Sequence, residues 1–115
     1  MIKLKRVYDK PAKDDGWRVL VDRLWPRGMT KEAAHLDAWM KDVAPSDALR
    51  KWFGHEPVKW AAFEKKYHAE LATKKELLAE LKKMAKDHDT LTLLFGAKDE
   101  EHNEAIVLAD VLKGR

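Results

Sequence analysis

The chain has 115 residues, 45% of them hydrophobic and 37% charged, with a formal net charge of +3 and no cysteine. This length suits one domain and argues against a separate cofactor domain; the apolar content argues against a disordered tail, and no apolar run approaches the roughly 18 residues a membrane span needs. Without cysteine the chain has no disulfide, thiolate nucleophile, Cys-ligated zinc or iron–sulfur cluster, and with no signal-peptide apolar region near its start a cytoplasmic location is expected.

Residues 2–8 alternate apolar and basic side chains, Ile2 and Leu4 against Lys3 and Lys5, the pattern of an edge strand with one wet side. Residues 10–16 hold Pro11, Asp14, Asp15 and Gly16 and predict a surface connection. Residues 17–24 predict a second strand. Its Val19-Leu20-Val21 centre is apolar on successive positions and so on both faces, as in an interior strand covered by helices. It runs into Asp22-Arg23-Leu24-Trp25-Pro26-Arg27-Gly28, where Pro26 removes a backbone donor and Gly28 permits an unusual backbone angle, so a shaped loop follows.

Thr30 is placed to cap a short helix through Leu36, and residues 39–43 form a weaker strand candidate. Ser46 caps the next expected helix, which ends at Phe53 before Gly54. Pro57 suits the first turn of another, whose Trp60, Phe63, Tyr67 and Leu71 recur at helical spacing. Thr73 and Glu76 match a capping box for a further helix carrying Leu77, Leu78, Leu81 and Met84, with one continuous bent helix as the alternative. The run at 91–95 predicts a buried strand, and Asp99 is expected to cap a last helix with Ala105, Leu108, Ala109 and Leu112 facing inward. Alternating strands and helices predict an α/β fold, a single three-layer domain over residues 1–115 with a small, mostly parallel sheet flanked by helices. Ligands in such folds collect beyond the carboxyl ends of the strands, which brings residues 22–28, 44–46 and 96–103 together.

Charge is unevenly spread along this plan. Residues 1–60 carry 13 Lys or Arg against 9 Asp or Glu, residues 61–115 carry 10 against 11, and all five tryptophans lie in the first part. The strongest constellation is Asp22, Arg23, Arg27 and Gly28 after the second strand with Lys98, Asp99, His102 and Asn103 after the last. Arginine holds phosphate or carboxylate through two parallel hydrogen bonds, and a helix amino terminus offers donors to the same anion. The plainer alternative is that Asp22 pairs with an arginine and Asp99 only caps a helix. Arg50 and His55 bracket the Trp52-Phe53-Gly54 turn; imidazole titrates near neutral pH and so suits a general base, although His55 would equally serve to close the turn before Pro57. His102 has the same two readings. No histidine spacing suggests a metal site. Trp39, Trp52 and Trp60 are expected in the core, whereas Trp25, in the Arg-Pro-Gly loop, is the tryptophan most open to a ligand.

The segments Val19-Leu20-Val21-Asp22-Arg23-Leu24-Trp25-Pro26-Arg27-Gly28, Leu49-Arg50-Lys51-Trp52-Phe53-Gly54-His55-Glu56-Pro57 and Thr92-Leu93-Leu94-Phe95-Gly96-Ala97-Lys98-Asp99-Glu100-Glu101-His102-Asn103 carry a resemblance. Over nearly its whole length the chain resembles the YeaO-like group of the domain-of-unknown-function family 488, a bacterial family. The resemblance implies the fold and the loop assignments and supplies no substrate or catalytic role. Some longer relatives place a cysteine near the end of the last strand and a Cys-His-Arg motif at the following helix, where this chain has Phe95-Gly96 and Asn103-Glu104-Ala105. Any thiol chemistry of those relatives does not extend to it.

These readings converge on a small anionic ligand, bearing phosphate or carboxylate, bound at the strand ends. Arg23, Arg27 and Lys98 would neutralise it, with Trp25, Gly28, Arg50, Asp99 and Asn103 completing the ligand-binding set and Asn103 orienting the ligand. Asp22, His55 or His102 would move a proton if the site is catalytic. The first alternative is a nucleic-acid-binding module that uses the arginine-rich half and an exposed Trp25; its expected salt dependence is set against a modest net charge. The second is a protein-interaction domain with an apolar surface. The residues identify no cofactor and no oligomeric state.

Overall fold

The apolar run near the carboxyl end forms the centre of the sheet. In the computed structural model, which describes residues 1–114, β4 (Leu91–Phe95) is buried at every position. It is flanked by β1 (Ile2–Arg6) and β2 (Trp17–Leu20), and the two-residue β3 (Ala38–Trp39) extends the sheet beyond β2. The order is β1-β4-β2-β3 and every pairing is parallel, so all four carboxyl ends open on one side.

Side-chain alternation along β2 and β4 separates two cores. Val19, Val21, Leu91, Leu93 and Phe95 pack with Phe53, Phe63, Tyr67 and Leu108 under the helices α2 (Asp47–Phe53), α3 (Trp60–Leu71), α4 (Lys75–Asp87) and α5 (Glu104–Leu112). On the other face Leu20, Leu94 and Val7 meet Ala34 of the short α1 (Lys31–Ala34), with Trp25, Met29 and Leu36 alongside. That second layer is thin, and below it the sheet carries buried polar groups. Asp15 accepts from Arg18 and from Lys5, while the Thr92 hydroxyl donates to the Asp15 carbonyl at 2.6 Å. These partners satisfy groups that would otherwise be costly to bury.

Several elements differ from the sequence-based expectation. Strand β2 stops at Leu20 because the Gly96 amide, next in the ladder, donates to the Asp22 side chain and not to the backbone. Residues 41–43 turn into a 3-10 helix that buries Val43, whose carbonyl receives the Tyr67 hydroxyl at 2.7 Å. Helix α1 ends at Ala34 and not at Leu36, because His35 takes a left-handed φ of 47°. Thr73 caps nothing: its hydroxyl donates back to the Glu70 carbonyl at 2.7 Å, and α4 starts without a side-chain cap. The last helix is capped by Asn103, whose side chain accepts from the Ile106 amide, and not by Asp99. Ser46 caps α2 as expected, with Gly54 left-handed behind it at φ 53°. Among the described residues no helix is long and apolar enough to cross a membrane.

Candidate functional site

The parallel sheet leaves a cavity of about 270 Å³ at the carboxyl ends of the strands. Tyr8 follows β1, residues 22–27 follow β2, Ala44 and Pro45 follow β3, and Gly96 and Ala97 follow β4. Arg50, Phe53 and His55 come from α2 and its end, while Asn103 and Glu104 open α5. The three segments expected to meet therefore do meet.

The loop after β2 is tied down on several sides. The Tyr8 hydroxyl donates to the Arg27 carbonyl at 2.8 Å, the Trp25 indole to the Met29 carbonyl at 2.7 Å, and the Trp39 indole to the Asp22 carbonyl at 2.7 Å. Trp25 and Trp39 meet edge to face at 5.4 Å. The half-buried Trp25 has its one donor engaged and is not the exposed stacking platform that a nucleic-acid reading required. Trp60 packs against Phe53 and Phe63 as expected. Trp39 and Trp52 instead lie at the surface, 39% and 38% exposed, and Trp52 is flanked by Lys59 and Lys66.

Of the eleven residues expected at the site, Asp22, Arg23, Trp25, Arg27, Arg50, His55, His102 and Asn103 line the cavity. Gly28, Lys98 and Asp99 do not line it. Lys98 and Gly28 are exposed, and Asp99 is drawn into its own turn, accepting the Glu101 and His102 amides at 2.9 and 3.0 Å. Those amides and the His102 ring hold its carboxyl below the ordinary carboxylate range. Asp99 Oδ2 lies 2.9 Å from His102 Nδ1, which fixes the imidazole against the edge of Trp60. Asn103 is buried, and its side chain both caps α5 and donates to the Asp99 carbonyl at 3.0 Å, so its amide is committed to the fold.

The arginines are not equivalent. Arg23 is a brace, donating to the Pro45 carbonyl at 3.0 Å and to the Ala44 carbonyl at 3.2 Å. Arg50 bonds Asp47 at 3.4 Å, while its Nε is buried without a partner. The exposed Arg27 guanidinium makes no hydrogen bond or salt bridge among the described residues. His55 stands exposed at the pocket edge with a left-handed φ of 59° and likewise makes no side-chain hydrogen bond there.

Glu104 is the acidic lining residue that the sequence-based set lacks. The Glu104 carboxyl meets that of Asp22, and burial first, then this neighbour, hold its proton well above the ordinary carboxyl range. Asp22 Oδ2 also accepts the Gly96 amide at 2.8 Å. A Cβ at residue 96 would come within 2.9 Å of that oxygen, so glycine leaves room for the carboxylate. The signal was present in the sequence, since Glu104 directly follows a segment expected at the site. An acidic residue in the first turn of a helix is, however, ordinarily explained by the helix dipole alone. The cavity thus combines a pair of carboxyls with guanidinium and imidazole groups, an arrangement able to hold an anion and to accept or give a proton.

The whole chain, residues 1–115, matches the family model described as "Inactive DUF488-N3 subclade". It is 48% identical over 112 residues to the "Uncharacterized protein YeaO" of Escherichia coli (strain K12), covering 97% of this chain and 96% of that protein. It is 40% identical over 114 residues to the "Uncharacterized protein Rv3073c" of Mycobacterium tuberculosis (strain ATCC 25618 / H37Rv), covering 99% of this chain and 95% of that one. The "Uncharacterized protein Mb3100c" of Mycobacterium bovis gives the same figures, 40% identity over 114 residues. No solved structure matches the chain significantly.

Proposed function

Because the chain belongs to the DUF488 family, in a subclade described as inactive, we propose that its strand-end cavity is a binding site for a small ligand bearing a carboxylate or phosphate. The observation that carries this reading is the Arg27 guanidinium, which lines the cavity and has no partner among the described residues. Arg50, with a buried and unpartnered Nε, and His55 stand on the same cavity. A guanidinium without an internal partner is a ready ligand for a carboxylate or phosphate. Arg23 is held in place by two carbonyls and keeps its positive charge at the cavity wall. The description of the subclade favours a binding role over turnover, and Asp22, Glu104 and His102 then act as hydrogen-bonding groups toward the bound molecule. A cytoplasmic setting accords with this reading.

The test is a thermal-shift series with inorganic phosphate, sugar phosphates, nucleotides and carboxylates, repeated on Arg27→Ala. A ligand of the native state raises the melting temperature. The shift should shrink in the variant, and an undiminished shift would move the site elsewhere.

A further inference from the structure

Resting on that reading, we propose that the ligand is dipolar, carrying a cationic nitrogen for the Asp22–Glu104 pair together with the anionic group that Arg27 and its neighbours receive. Two carboxyls share one cavity with several cationic side chains, yet neither forms a salt bridge with any Lys, Arg or His among the described residues. The nearby Arg23 is spent on the Ala44 and Pro45 carbonyls, and the Tyr67 hydroxyl on that of Val43. Among the described residues, the one backbone donor to the Asp22 side chain is the Gly96 amide. Both carboxyls are half-buried, and carboxyls partly withdrawn from water are favoured by a cationic partner or a proton. Glu104 holds its proton well above the ordinary carboxyl range, first through burial and then through Asp22, and an ammonium group supplies a counter-charge there while adding hydrogen bonds. Arg27 lacks its counter-ion in the same cavity, so a ligand with both charges completes both ends at once. A simple anion completes only one.

The exchange has a balance that can be read. When an ammonium group docks on the pair, the proton leaves Glu104 for solvent and the pair becomes a dianion facing a cation. The experiment is calorimetric titration of the full chain in two buffers of different ionisation enthalpy. The probes are glycine, β-alanine, γ-aminobutyrate and phosphoethanolamine; acetate, propionate, butyrate and phosphate lack the amine, and methylamine, ethylamine and propylamine lack the anion. At least one amino-bearing anion should bind roughly tenfold more tightly than its amine-free partner and release up to about one proton, as expected for one charge-assisted contact. The carboxylate and phosphate members show which anion the site takes.

Glu104→Gln should abolish the proton release. Equal affinity with and without the amine overturns this inference and leaves the anion site standing. Binding of the amines with silence from every anion overturns the anion reading itself, and silence from all probes overturns both. Because proton release is read on the unaltered protein, a Glu104→Gln variant that fails to fold does not rescue the proposal.

Discussion

The carboxyl of Glu104, at the first position of α5, rests against that of Asp22, two residues beyond the end of β2. A helix amino terminus favours a charged carboxylate, yet Glu104 is driven the other way by burial and then by its acidic neighbour. Desolvation and the acidic neighbour therefore outweigh the dipole here, and the Glu104 pKa is raised.

That raised pKa has a signature in stability. A carboxyl whose pKa is raised by folding stabilises the native state fully below its unfolded value near 4.5, and the contribution is lost as pH rises toward the folded value. Glu104→Gln cannot titrate. Its stability relative to the unaltered protein should therefore climb as pH rises from about 4.5, which urea unfolding at stepped pH measures. A difference constant across that window contradicts a raised Glu104 pKa.

Gly96→Ala addresses the same pair from the backbone side. The added Cβ would lie 2.9 Å from Asp22 Oδ2, so the carboxylate must swing away and the Gly96 amide loses its acceptor. The expected cost is about 1–2 kcal/mol, the range for leaving a partly buried donor unmatched. Amide hydrogen exchange at residue 96 should accelerate in the variant. Unchanged protection there would mean that Asp22 does not depend on the glycine.

On the opposite end of the sheet, Asp15 is buried between Lys5 and Arg18. Burial pushes its pKa up, but the Ala12 amide, Lys5 and Arg18 together outweigh it and hold the carboxyl below its ordinary 3.8. The sign is opposite to that of Glu104: this stabilisation is present above 3.8 and is lost as pH falls through the lower folded value. Asp15→Asn leaves the Arg18 guanidinium buried beside a neutral amide and should cost about 3–5 kcal/mol at neutral pH. Urea midpoints for the two proteins should converge in strong acid. A neutral-pH loss under about 1 kcal/mol would place the ion cluster among the weak surface pairs.

What could be read from the residues was what local chemistry decides. The apolar run at 19–21 and the one at 91–95, broken by Thr92 alone, point to interior strands, and Ser46 with Gly54 bounds a helix without help from elsewhere. From parallel strands the meeting of residues 22–28 with 96–103 followed. The rest turns on competition between equivalent groups. Asp99 and Asn103 are both able caps, and the choice fell on the buried one. Thr73 carries a capping hydroxyl, but the Glu70 carbonyl at the end of α3, which also accepts the Thr73 amide at 3.1 Å, lay within its reach. Which arginine is free depends on where the Ala44 and Pro45 carbonyls come to rest, a tertiary fact that no spacing contains. Glu104 stayed hidden because its dipole role sufficed to explain it.

Gly16 makes the sharpest test of the packing at the amino end of the sheet. It sits at φ 64°, ψ −131°, a region essentially closed to other residues. A Cβ there would approach the Thr90 carbonyl oxygen to 2.3 Å and Thr90 Cβ to 2.8 Å, and that same oxygen accepts the Trp17 amide at 2.9 Å. Neither backbone can yield without disturbing the β2–β4 pairing. Gly28 is the matched control, with φ 76° and nothing within 4 Å of its hypothetical Cβ. Gly28→Ala should pay only for its backbone angle, about 1 kcal/mol. Gly16→Ala should pay for angle and clash together, on the order of 3 kcal/mol or more. Equal losses in chemical denaturation would show that the Thr90 contact costs nothing, and that conformational preference alone keeps glycine at both positions.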